Sequence, residues 1–134
     1  MDWPEIPVVA VTGERSGNAE AVFLEIETLL ECLLRQGEGG MVDIQGLPLT
    51  PADREWLRAE LGRGEVDIRM DLAGATRIVE TGYPGVWWIE HRDEAGRLVS
   101  EFVQVAYLPE LIAAHPDDVE SGYDQLRSRN TRMT

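Results

Sequence analysis

From Glu65 the chain alternates between apolar and polar side chains: Val66, Ile68, Met70 and Leu72 interleave with Glu65, Asp67, Arg69 and Asp71. A period of two marks a strand with one face toward a core. Residues 76–81, 86–92 and 98–107 read as three further strands. Gly74 and the run Asp93-Glu94-Ala95-Gly96 supply the turn chemistry between them. Connections this short join antiparallel neighbours, so the pattern predicts a meander.

Upstream the period is helical. Val22, Ile26, Leu29 and Leu33, with Phe23, Leu30 and Leu34 widening the stripe, predict a helix over residues 19–36 that Gly37 ends. A second helix starts at Thr50 as N-cap, with Pro51 in its first position and Asp53 in its first turn. Trp56, Leu57 and Leu61 form its apolar edge, and the charged residues Asp53, Arg54, Glu55, Arg58 and Glu60 read as a solvated face. Residues 41–45 suit a short strand. Pro4 and Pro7 reduce residues 6–11 to an extended arm or an edge strand. After the meander come a short helical segment, 110–114, and a helix over 117–127 with Val119, Tyr123 and Leu126 on its apolar side. Residues 128–134 read as a polar, frayed tail. The sum is an α+β fold: a mainly antiparallel four- to five-stranded sheet with N-terminal helices and a C-terminal helix.

One stretch stands apart. Tyr83-Pro84-Gly85-Val86 reads as a type II turn, because Pro84 presets its own φ and Gly85 accepts a positive one. Trp87 and Trp88 follow on a strand, so their indoles point to opposite faces. One belongs in the core. The other needs a second layer, which either a terminal helix of the chain or another protein can supply. Tyr83, Pro84, Gly85, Val86, Trp87 and Trp88 are therefore the expected protein-interaction residues.

Composition narrows the function classes. A chain of 134 residues suggests a single domain spanning 1–134, large enough for its own core. With 25 acidic against 12 basic residues and a net charge of -13, nucleic acid and anionic membrane surfaces are poor partners. Cys32 is the only cysteine, which excludes an internal disulfide. That fits the cytoplasm, and no export signal or membrane span is visible. His91 and His115 lack zinc-site spacing, and no cofactor is expected. Glu80, Glu90 and Glu101 can meet across the meander as an acid–base set, although solvated charges are the commoner outcome on a sheet. Residues 12–17 are rich in glycine but lack the Gly-Lys-Ser/Thr ending that cradles phosphates.

Three motifs together resemble a known family. They are Leu47-Pro48-Leu49-Thr50-Pro51-Ala52-Asp53, then Leu61-Gly62-Arg63-Gly64-Glu65-Val66, then the run from Glu80-Thr81-Gly82 through the turn to Trp88. The chain resembles the conserved C-terminal region of the hydrogenase expression proteins HupH and HyaF, from about residue 19 to about residue 126. The Gly-Val-Trp-Trp turn is the most specific element. The resemblance implies an accessory role in nickel–iron hydrogenase maturation: a cytoplasmic dedicated chaperone or assembly factor that is not an enzyme. Its implied partner is an immature hydrogenase subunit or another hydrogenase accessory protein; the tryptophan face can also serve a second copy of the chain. The competing class is a small enzyme or metal-delivery factor in the same pathway.

Overall fold

The computed structural model describes residues 13–71 and 73–133. The expected N-terminal arm, residues 6–11, lies outside them. The order of elements is α1 (Asn18–Gln36), β1 (Gly40–Asp43), α2 (Pro51–Leu61), β2 (Asp67–Asp71), β3 (Ala75–Glu80), β4 (Val86–Arg92), β5 (Leu98–Val105), a 3-10 turn (Glu110–Ile112) and α3 (Pro116–Met133).

The meander forms as its turn chemistry requires. β2, β3, β4 and β5 pair consecutively and antiparallel, and β1 adds to the free edge of β5, giving the order β1-β5-β4-β3-β2. Register is fixed at the centre by Trp88 opposite Val103 and Glu90 opposite Glu101. Val86 and Trp88 of β4 share the face that α1 and α2 cover. Val42, Val79, Val103 and Val105 lie on that face too. They meet Ala19, Val22, Ile26 and Leu33 of α1 and Leu57 and Leu61 of α2 in the main core. Leu34, expected to widen the α1 stripe, is exposed instead. It follows Leu33 by about 100° around the helix, which carries it past the seam.

α2 begins with the expected chemistry in full. The Thr50 hydroxyl accepts from the Asp53 N–H at 3.0 Å, and the Asp53 carboxylate accepts from the Thr50 N–H at 2.9 Å. The same carboxylate accepts from the Ser16 N–H at 2.9 Å and the Ser16 hydroxyl at 2.5 Å. The loop before α1 is thereby tied to the start of α2, and the Ser16 hydroxyl also accepts from the Asn18 N–H at 3.2 Å. The N-cap of α1 is Gly17, with no side-chain cap.

The described residues cover the other face of the sheet only in part. Ile78, Trp87 and Ile89 form a small second core, with Ile68, Met70, Phe102 and Ile112 packed against it. Ile112 comes from the 3-10 turn, shorter than the expected segment, that folds back after β5. The C-terminal helix does not complete this layer: α3 continues to Met133, through the stretch expected to be a frayed tail, and every one of its residues is exposed.

Candidate functional site

The two tryptophans point to opposite faces, as strand alternation requires, but neither is exposed. Trp88 is 2% accessible in the helix-side core and Trp87 is 5% accessible in the second core. The Trp87 indole N–H donates to the Ala106 carbonyl at 3.0 Å, so the chain leaving β5 closes over it. The expectation of an outward-facing indole is thus corrected. Val86 is fully buried as well. Of the six turn residues, Tyr83 and Pro84 are exposed and Gly85 is half-buried. Gly85 has a φ of 90°, and the Val86 N–H donates to the Tyr83 carbonyl at 3.0 Å, which closes the turn. The Tyr83 ring stands edge-on to Phe23 of α1, so the turn borders the helix layer.

The carboxylates follow a different course from the solvated one. Glu90 and Glu101 are direct cross-strand partners on the helix side, and both are buried. α2 supplies their counter-charges. The Arg58 guanidinium donates to Glu101 at 2.6 Å and to Glu90 at 3.3 Å, and Arg54 also pairs with Glu101. Trp88 donates its indole N–H to Glu101 at 2.9 Å, and the Arg58 guanidinium lies 5.1 Å from the Trp88 ring centre. Burial, the largest influence, lowers the Arg58 pKa; Glu90 opposes that shift. Two arginines assigned to a solvated helix face are therefore the clamp that seats α2 on the sheet. Glu80 does not join this group; it accepts from the Glu65 N–H at 3.1 Å. Glu101 thus accepts from two guanidinium groups and an indole at once. This arrangement is a structural anchor.

Elsewhere the titratable groups pair locally. Arg77 holds Asp67 through two hydrogen bonds, of 3.0 and 2.6 Å, and these lower the Asp67 pKa. Thr76 and His91 share a hydrogen bond of 2.6 Å. Cys32 is half-buried in α1. Among the described residues no three His, Cys, Asp or Glu side chains converge in a way that could hold a metal ion, and no helix is long and apolar enough to cross a membrane.

What the molecule does present is a concavity of about 570 Å³ on the sheet face opposite the two helices. Met41, Ile89, Phe102 and Leu111 line it together with the polar residues Thr76, His91, Ser100, Gln104 and Glu110. Met41 and Leu111 remain 57% and 44% exposed. The edge strand β1 adjoins this surface through Met41. Met41, Phe102 and Leu111 were not among the residues expected from sequence. Period-two alternation from Trp87 across the β4–β5 register would have placed Phe102 on this face, but the return of Leu111 over the sheet leaves no sequence pattern.

The comparisons with known proteins agree on one family. The pattern described as "HupH hydrogenase expression protein, C-terminal conserved region" matches residues 17–133. The chain is 30% identical over 115 residues to the hydrogenase expression/formation protein HoxQ of Azotobacter vinelandii, covering 82% of this chain and 40% of HoxQ. It is 28% identical over 85 residues to the hydrogenase-1 operon protein HyaF of Escherichia coli, covering 63% and 30% respectively. It spans less than half the length of either. The solved structure of the hydrogenase expression protein HupH from Thiobacillus denitrificans is 44% identical, with a TM-score of 0.83 over 89% of this chain and 99% of that one. The chain carrying this paired-tryptophan sheet belongs to the family of the HupH hydrogenase expression protein C-terminal conserved region.

Proposed function

We propose that this chain is an accessory protein of nickel–iron hydrogenase maturation, a dedicated chaperone or assembly factor that works in the cytoplasm as one folded unit. On this reading it holds an immature hydrogenase subunit by an apolar segment, on the sheet face opposite α1 and α2. The observation that carries the proposal is the open concavity bounded by Met41, Phe102 and Leu111. A sheet face that the described residues cover only in part, and a β1 edge that none of them covers, suit an extended polypeptide, which can add to the edge while its side chains fill the hollow. The relatives support the pathway: HoxQ is a hydrogenase expression/formation protein and HyaF a hydrogenase-1 operon protein. Trp87 belongs to the small core against which Phe102 of this surface packs. Tyr83 and Pro84, with Gly85 between them and the strand, form a smaller exposed patch at the other end of the turn, whereas Val86 and Trp88 contribute through the core. The clamped state of Glu90 and Glu101 favours a binding role over an enzymatic one.

The test is capture of hydrogenase subunits, identified by mass spectrometry, from cells expressing the hydrogenase operon with the tagged chain. Met41→Asp and Leu111→Asp should each lower capture by about tenfold or more, as loss of an interface anchor does. Leu24→Asp, at an exposed position on α1, should leave it unchanged. Unaltered capture by both face variants, with their melting temperatures intact, would remove the face from the proposal. Stoichiometric nickel, iron or zinc surviving dialysis would favour metal delivery instead.

A further inference from the structure

α3 is an 18-residue helix, every residue of which is exposed. Its apolar side is nonetheless regular. Val119, Tyr123, Leu126, Asn130 and Met133 recur at spacings of four, three, four and three, which is the a/d seam of a coiled coil. Val119, Tyr123, Leu126 and Met133 are each more than half exposed. A helix of this length, carrying Ser121, Gly122, Ser128 and Thr131, has too little intrinsic propensity to hold itself in water. It needs something on that seam.

Charge identifies what. Asp117, Asp118, Glu120 and Asp124 occupy the first half of the helix, while Arg127, Arg129 and Arg132 occupy the second half, with no acidic residue after Asp124. The helix is therefore complementary to itself when reversed. A parallel pair would set acid on acid and base on base. An antiparallel pair sets each acidic half on the basic half of the other helix, and the two macrodipoles are also opposed. In that register Tyr123 layers against Leu126 of the second copy and Val119 against its Asn130. Glu120 then flanks the seam beside Arg127 of the second copy, twice per pair. We infer that α3 is a homodimerisation helix, which pairs antiparallel with α3 of a second copy of this chain through the seam centred on Tyr123 and Leu126. This inference does not depend on the sheet face or on hydrogenase: it uses a different surface of the molecule.

The experiment is sedimentation equilibrium of the full chain from low micromolar to near-millimolar concentration, with melting temperature measured in parallel. The wild type should dimerise. Leu126→Asp should weaken dimerisation about tenfold or more and leave the melting temperature of the sheet domain unchanged. Glu120→Arg and Arg127→Glu should each weaken it, and the two reversals combined in one chain should restore it. The two single variants mixed should associate better than either alone. A wild type that stays monomeric throughout overturns the inference. So does a dimer that survives Leu126→Asp, or one that ignores both charge reversals. A dimer abolished by Met41→Asp or Leu111→Asp would place α3 on the sheet face of the other copy, and would overturn it as well.

Discussion

The indole N–H of Trp88 donates to the carboxylate of Glu101 at 2.9 Å, diagonally across the β4–β5 ladder, and neither side chain reaches solvent. A fully buried carboxylate is tolerable only with its donors in place, and here Arg54 and Arg58 complete the set. Glu101→Ala would remove the carboxylate that Arg54, Arg58 and the Trp88 indole share, leaving Glu90 to pair with Arg58. Loss of one partner from a buried ion pair costs ~3–5 kcal/mol. A urea melt of Glu101→Ala should show a drop of that order, and Glu101→Gln a smaller one. A change near zero for both would mean that the cluster does not hold α2 to the sheet.

Asp53 links stability to pH. Burial pushes its carboxyl upward, but hydrogen bonds from the Ser16 hydroxyl and from the Thr50 and Ser16 N–H groups outweigh this and lower its pKa from 3.8 to about 2. The folded value lies below the unfolded one. The contribution is therefore complete above pH 3.8 and is lost as pH falls toward 2. Thermal melts of the wild type and Asp53→Asn should differ most at neutral pH, and the difference should shrink through that acid window. A difference independent of pH would show that the carboxylate charge is not what ties Ser16 to α2.

Leu33 is buried where α1 meets the sheet. Leu33→Ala should cost ~2–5 kcal/mol, and Leu34→Ala, one position further round and exposed, little. Because α1, α2 and the sheet share one core, both variants should unfold in a single transition by fluorescence and by circular dichroism. Separate transitions for the helices and the sheet would refute the single folded unit.

Gly85 carries a φ of 90° at the turn before the tryptophans. An added Cβ would meet nothing closer than 3.7 Å, so the cost of Gly85→Ala is conformational rather than steric crowding. It should be ~1–2 kcal/mol, the penalty for an L-residue in the left-handed region. Denaturant melts check the value; no loss would mean that the turn re-forms with another geometry.

The alternation of residues 65–72, the helical stripe of Val22, Ile26 and Leu33, and the Thr50-Pro51 start of α2 set the elements and their order, because local periodicity and capping act within one turn or one strand. The same logic placed Trp87 and Trp88 on opposite faces. What they then met was decided in three dimensions. The burial of Glu90 and Glu101 depends on the β4–β5 register and on Arg54 and Arg58 arriving from a helix more than thirty residues earlier. Sequence spacing carries no trace of that encounter, so charges that looked solvated became the anchor of the core. Trp87 is covered because the chain turns back at Ala106 and brings Ile112 over the sheet, a matter of chain path rather than of residue type. α3 shows the converse: its seam is written in the spacing of its apolar residues, and only the tertiary structure reveals that none of the described residues fills it.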